Sequence, residues 1–237
     1  MGYRARRAYL QRKKKAEDKT ATGSLDTLLA RKQVKLSAED LKIIDLIHAR
    51  GCIHIPSIHA NIRDMSVEAI KRHMDRLLRA GIIKAELTNA RKRPETIYFI
   101  GKRIPYNEIS HALHMSESLD RLLANPEITL REYKQEHILK SEHSKGRHGV
   151  QSATMQVPDG AVTIEKGDVA TPCFLEIDSK SYTGKVLRNK VAGLSKYLEN
   201  KPLYWICYSS RRLKSVTTAV SGYTNIKPIM FYELQAL

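Results

Sequence analysis

The sequence predicts an α+β protein: a winged helix-turn-helix over residues 36–104, then an α/β sandwich over residues 105–237, behind a basic arm of residues 1–35. Three observations predict it. Apolar residues recur at helical spacing in three short segments that run into a basic two-strand pattern. After Pro105, helical and strand patterns alternate. The charge is also divided. The chain of 237 residues carries a formal +16, of which residues 1–104 hold +13 (24 Lys/Arg against 11 Asp/Glu) and residues 105–237 hold +3. A field of that sign favours polyanions, because each cation near a phosphate releases a condensed counterion.

With 42% hydrophobic and 28% charged residues, the composition excludes global disorder, collagen and a coiled-coil rod. The longest apolar-aromatic run, Leu203 to Tyr208, is far too short to cross a bilayer. The N-terminal MGYRARRAYLQRKKK has no apolar stretch behind it, so no secretory signal and no membrane partner are expected. Cys52, Cys173 and Cys207 lie far apart with no CxxC pair. That spacing gives neither a zinc finger nor a disulfide framework, and a cytoplasmic location is the expectation.

The arm, with Arg4, Arg6, Arg7, Arg12, Lys13, Lys14 and Lys15, is expected to be partly helical and to touch phosphates. Ser37-Ala-Glu-Asp40 is a capping box that opens a helix with Leu41, Ile43, Ile44, Leu46 and Ile47 on its apolar face, ended by Gly51. A second helix fits Pro56 to Ile62. A third runs from Ser66 to Ala80, with Val67, Ile70, Met74, Leu77 and Leu78 inward and Glu68, Lys71, Arg72, Asp75, Arg76 and Arg79 outward. Ile82 to Leu87 and Glu95 to Ile100 read as strands joined by a turn that carries Arg91, Lys92 and Arg93. In a winged helix the third helix enters the major groove and the wing reaches the adjacent backbone. Lys71, Arg72, Arg76, Arg79, Arg91, Lys92 and Arg93 are therefore the candidate contacts to double-stranded DNA at a specific site. The plainer alternative is a winged helix used for dimerisation, with solvated charges.

In the second part, residues 111–123 carry Leu113, Leu119, Leu122 and Leu123 at helical spacing. Tyr133 to Leu139 reads as a strand or a helix end, and Ser141 to Gln151 as a polar loop. Val157 to Ile164 and Cys173 to Asp178 read as strands separated by a loop over 165–171. Lys185 to Glu199 reads as an amphipathic helix, Leu203 to Ser209 as a central strand and Lys227 to Tyr232 as a last strand.

The chemistry lies in acids on adjacent strands. Asp159 begins one strand, while Glu176 and Asp178, two apart on the next, leave the same face. Three carboxylates together raise each other's pKa unless a cation joins them. Mg²⁺ or Mn²⁺, with oxygen ligands, is the expected cofactor, and Asp159, Glu176 and Asp178 are its candidate ligands. Such an ion orients a phosphodiester, activates water and stabilises the leaving oxygen. Beside a basic DNA-binding half, this pattern points to phosphodiester cleavage. Plain alternatives stand next to it: Pro-Asp-Gly is a strong turn signal, and helix lysines are commonly just exposed.

Pro158-Asp159 followed by Glu176-Ile177-Asp178 resembles the PD-(D/E)xK nuclease superfamily, with Asp178 where the pattern has Lys. The resemblance implies a restriction-endonuclease-like sandwich and a lysine supplied from a neighbouring element. Lys180, Lys185 and Lys190 are available, of which Lys190 is preferred. A narrower resemblance covers most of the chain. "HALHMSESLDRLL", "YKQEHIL", "VPDGAVTI", "FLEIDSKSYTGKVLRNKVAGLSKYL" and "WICYSSRRL", in that order, look like the replication-relaxation family, which includes MobC-type relaxases of mobilisable plasmids. It implies a metal-dependent nick at an origin of transfer or replication of a mobile element. By position it adds His111 and Glu136, and less strongly Glu117, to the site. Accessory mobilisation or replication proteins and a second copy of the chain are the further partners it allows. No HxH cluster supports a histidine-metal tyrosine relaxase, though Tyr3 and Tyr9 leave a covalent route open, and Tyr197 reads as packing. The alternatives are a non-catalytic DNA-binding regulator with a degenerate nuclease fold, and an endonuclease that cuts both strands.

Overall fold

The computed structural model describes residues 35–89, 94–101, 105–136, 138–140, 142, 156–178, 182 and 184–237. The expected arm up to residue 34, the wing-tip cations Arg91, Lys92 and Arg93, and Lys180 lie outside the described residues. The chain is a mixed α+β protein whose larger sheet has five strands.

Helix α1 (Ala38–Arg50) starts at the expected capping box. The amide of Asp40 donates to Ser37 Oγ at 3.2 Å, and the amide of Ser37 donates to Asp40 Oδ2 at 2.9 Å. A two-residue strand β1 (Cys52–Ile53), absent from the sequence expectation, leads to α2 (Ile55–Asn61), with Pro56 in its first turn. Helix α3 (Val67–Arg79) is capped by Ser66, and β2 (Lys84–Thr88) and β3 (Glu95–Phe99) follow. The three strands form an antiparallel sheet in the order β1-β3-β2. Ile43, Ile47, Ile58, Ile70, Met74 and Leu77 close the core beneath it.

Helix α4 (Tyr106–Leu123) begins five residues before its expected start. It leads to β4 (Ile128–Gln135), β5 (Gly160–Lys166), β6 (Val169–Ile177), α5 (Gly184–Tyr197), β7 (Leu203–Cys207), α6 (Ser210–Ala219), β8 (Ile226–Met230) and a 3-10 turn over Phe231–Ala236. The strand order is β4-β5-β6-β7-β8. β4 to β6 pair antiparallel, and β6-β7 and β7-β8 pair parallel. The parallel pairs need crossovers, and α5 and α6 supply them.

Pleating sorts the residues of β6 to two layers. Cys173, Leu175 and Ile177 meet Met115, Leu119 and Leu122 of α4 on one face. Phe174 meets Leu187, Val191 and Leu194 of α5 on the other. Glu176 shares the face of Phe174, and so points toward α5.

Two expectations change and one is resolved. The loop over 165–171 is a continuous hairpin, with Lys166 paired to Val169 across Gly167-Asp168. Gly167, at φ +59°, takes the first central position of that turn, where an L side chain is strained. Tyr133 to Leu139, read as a strand or a helix end, is both: β4 spans Ile128–Gln135, and residues 136 and 138–140 are helical. Helix α6 was unexpected because Val216, Thr217 and Thr218 are poor helix formers. Its Ser209 cap, which accepts from the Arg212 amide at 3.3 Å, is the local signal that fixes it.

The two halves meet through a polar seam. Buried Arg50 donates to the carbonyl of Ser116 at 3.0 Å and to Asn61 Oδ1 at 3.1 Å, and lies 3.5 Å from Asp120. Asp120 also accepts from Asn61 Nδ2 at 2.7 Å and from Ser57. Cys52, Ile97 and Phe99 pack with Ile109 and Leu113 beside it. No helix among the described residues is long and apolar enough to cross a membrane.

Candidate active site

The site forms where β5 enters the sheet beside β6, with α4 on one face of the sheet and α5 on the other. Asp159 directly precedes Gly160, which pairs with Leu175, so Asp159 arrives level with Glu176. Space is tight around the glycine. A Cβ at position 160 would lie 3.0 Å from Cε2 of Tyr133 and 3.4 Å from Cε of Met115. The Asp159 carboxylate accepts from the amide of Ile177 at 2.7 Å through Oδ2, and its Oδ1 stands 3.2 Å from His111 Nε2 on α4. Burial raises the carboxyl's pKa, but His111, Lys190 and the Ile177 amide together hold it below the usual carboxylate range.

Glu176 is 0% exposed. Lys190 of α5 donates to its Oε1. Its Oε2 is buried with no hydrogen-bond partner. Burial first, then the neighbouring Asp159 charge, push this carboxyl well above its ordinary pKa, against the pull of Lys190. Burial works against the Lys190 ammonium as well, yet Glu176 and Asp159 hold its pKa above the ordinary value. Two carboxyl groups and one ammonium thus share a buried pocket, in which Lys190 favours the charge of each acid while the acids oppose each other. The ammonium lies 4.8 Å from the centre of the Tyr182 ring and 5.7 Å from that of Trp205.

Asp178 does not join them. Arg212 of α6 takes both of its oxygens, Nε to Oδ2 at 2.7 Å and Nη2 to Oδ1 at 2.8 Å, and Trp205 Nε1 lies 3.4 Å from Oδ1. The expected cluster of three carboxylates is therefore two carboxylates, because a bidentate guanidinium satisfies the third. Glu136 also departs from the expectation. Its amide donates to the carbonyl of Asp159 at 3.0 Å, but its half-exposed carboxylate pairs with Lys140 at 2.5 Å. Glu117 stands 3.8 Å from His54 in the seam, and Tyr197 packs edge-on against Phe174 at 5.4 Å, as a packing residue would. Lys185 is exposed on the first turn of α5. Sequence reasoning missed the part of Arg212 and the polar contact of Trp205, which was expected only as core. The unexpected α6 is what brings Arg212 into reach.

Among the described residues no group of three His, Cys, Asp or Glu could hold a metal ion. Two carboxylates still fit Mg²⁺ or Mn²⁺. Mg²⁺ keeps several waters and is commonly bound by one or two carboxylates plus a substrate phosphate. Glu176 Oε2 is buried without a donor, and the Asp159 carboxyl lies close enough to raise the Glu176 pKa; a carboxyl pair of that kind fits a cation. Asp159 and Glu176 are the residues that would hold it.

In the first half, Lys71, Arg72 and Arg79 are exposed along α3, and Arg72 and Arg79 line a shallow recess with His73, Asp75 and Arg76. Arg76 is committed elsewhere. It donates to the buried Asp40 of α1 and to Ser37 Oγ at 3.2 Å. His73 Nδ1 lies 2.9 Å from the same carboxylate. An outward helix position had suggested a free cation, but the buried acid of the capping box claims it.

No family model matches the chain and no curated protein matches it, so the replication-relaxation resemblance finds no support there. Among solved structures, that of restriction endonuclease FokI is similar at a TM-score of 0.27 and 13% identity, over 84% of this chain and 43% of that one. The chain thus spans less than half the length of that protein.

Proposed function

We propose that the chain is a metal-dependent DNA endonuclease of PD-(D/E)xK type, with a winged helix over residues 36–104 that reads a specific site and a cutting domain over 105–237. The observation that carries the reading is the convergence of Asp159, Glu176 and Lys190 in one buried pocket, with one oxygen of Glu176 unpartnered. Asp159 and Glu176 would hold Mg²⁺ or Mn²⁺. The bound cation supplies Lewis-acid polarisation of the phosphodiester and lowers the pKa of attacking water.

The remaining roles belong to the chain's own side chains. His111 and the Ile177 amide fix the Asp159 carboxylate. Lys190, on the helix that follows β6, keeps a positive charge beside the scissile group and stabilises the charge that builds on it. Lys71, Arg72 and Arg79 hold the duplex by α3, and Arg91, Lys92, Arg93 and the arm add phosphate contacts. The finer reading is a relaxase-like nick at the origin of transfer or replication of a mobile element, in the cytoplasm, with accessory mobilisation or replication proteins or a second copy of the chain as partners.

A second reading has its own observation. Lys190 is bonded to Glu176, Asp178 to Arg212, and Asp159 stands against His111, so each acid has a mate without metal. That arrangement suits a non-catalytic DNA-binding regulator. Incubation of supercoiled plasmid carrying candidate origins with Mg²⁺ or Mn²⁺ separates the two. The nickase yields open circles, a double-strand cutter yields linear DNA, and a regulator yields a shifted but uncut plasmid. Cleavage that persists in both Asp159→Ala and Glu176→Ala removes the assigned site.

A further inference from the structure

We infer that Arg212 is a positioning residue that seats Lys190 at the proposed site, an inference that rests on the endonuclease reading for its catalytic meaning. One guanidinium is tied to both residues whose rings border the ammonium, to Tyr182 through its backbone carbonyl and to Trp205 through Asp178. Nη1 donates to the backbone carbonyl of Tyr182 at 2.6 Å. Nε and Nη2 grip Asp178 at 2.7 and 2.8 Å. Asp178 in turn takes the indole N–H of Trp205 at 3.4 Å. Tyr182 and Trp205 are the rings over which Lys190 Nζ lies, at 4.8 and 5.7 Å.

The geometry matters because Lys190 hangs from a helix by a flexible four-carbon stem. A lysine placed directly on β6 would be aimed by the strand itself. From α5 it needs walls, and the aromatic faces are those walls. Asp178 thereby has a use at the position where the superfamily pattern has lysine. It trades the cation of the strand for an acid that recruits Arg212, and the pair fixes the pocket into which the helix lysine reaches. The planar fork of Arg212 makes three directed bonds at once, which a lysine at position 212 does not reproduce.

The test uses the full chain and two readouts. Trp205 is the single tryptophan, so its emission reports Lys190 on the indole. Seating by Arg212 predicts that Lys190→Gln shifts the emission in the native background and leaves it unchanged in an Arg212→Gln background. Equal shifts in both backgrounds overturn the inference. In the cleavage assay, Arg212→Gln is expected to lower kcat about 100-fold, the cost of misplacing a group by roughly an ångström, with KM for the DNA unchanged. An unchanged kcat, or a loss carried wholly by KM, also overturns it. Asp178→Asn, nearly isosteric, must move both readouts in the same direction as Arg212→Gln. If the native chain does not cleave at all, the endonuclease reading falls and the emission comparison alone decides whether Arg212 seats Lys190.

Discussion

Lys190, nearly two turns into α5, donates to Glu176 on the strand that precedes the helix, and this bond is where the folding chemistry and the proposed reaction meet. The parallel step from β6 to β7 demands a crossover helix, and the crossover carries the cation back over the carboxylate. The bond forms in a buried pocket, beside a second carboxylate, Asp159.

Removing one partner is expected to cost more than removing both. Lys190→Met leaves Glu176 and Asp159 buried together without their cation, and should destabilise the fold by about 3 kcal/mol. The double variant Lys190→Met with Glu176→Gln should recover most of that loss, and neither should cleave DNA. The pH dependence has a definite sign. The folded pKa of Glu176 lies above its ordinary value of 4.5, so its proton favours the folded state. In Lys190→Met, the contribution of Glu176 should be fully present below about pH 4.5 and be lost as the pH rises above it. Urea titrations at several pH values check this.

Asp40 gives the opposite sign. Burial alone would raise its pKa, but hydrogen bonds from Arg76, His73 and the Ser37 amide lower it to about 2, from 3.8. A depressed carboxyl contributes stability that is present above its unfolded pKa and lost as pH falls through the folded one. About 2 kcal/mol should therefore disappear between pH 4 and pH 2, and Asp40→Asn should flatten that stretch of the curve.

The same contact separates two arginines that the sequence alone treats alike. Arg76→Ala strands a buried carboxylate and should lower stability by about 2 kcal/mol. Arg72→Ala should leave the melting temperature unchanged and weaken DNA binding by roughly 1–3 kcal/mol if Arg72 reaches a base edge. Thermal melts and salt-dependent binding isotherms on the two variants distinguish these roles.

Arg50 and Asp120 bind α1 to α4 across the seam, with Asn61 accepting from Arg50 and both Asn61 and Ser57 donating to Asp120. The halves should unfold in one transition. Arg50→Ala, which leaves Asp120 buried and uncompensated, should cost about 3 kcal/mol and split the calorimetric endotherm in two.

Local rules made much of this fold legible. The capping box at Ser37, the apolar face of α3 and the period-2 pattern of β6 each have a cause within a few residues. Glu176 stood out because an acid in an apolar strand is costly, and Asp159 because it begins the neighbouring strand. What the sequence hid depends on distant pairing. Nothing near Asp178 or Arg76 says that Arg212, 34 residues away, or Asp40, 36 residues away, will claim them. Glu136 was misjudged for a related reason, since its backbone meets Asp159 while its side chain turns out to Lys140. Helix α6 went unseen because its β-branched residues mask a helix that tertiary packing of Val216 supports.

The claim that everything else depends on is that Asp159 and Glu176 gather one divalent cation. Mn²⁺ titration of the full chain, followed by the electron paramagnetic resonance of the free ion, tests it without reference to any DNA substrate. The account predicts one bound ion per chain in the native protein and none in Asp159→Asn or Glu176→Gln. Equal Mn²⁺ binding by all three proteins, or none by the native chain, contradicts it.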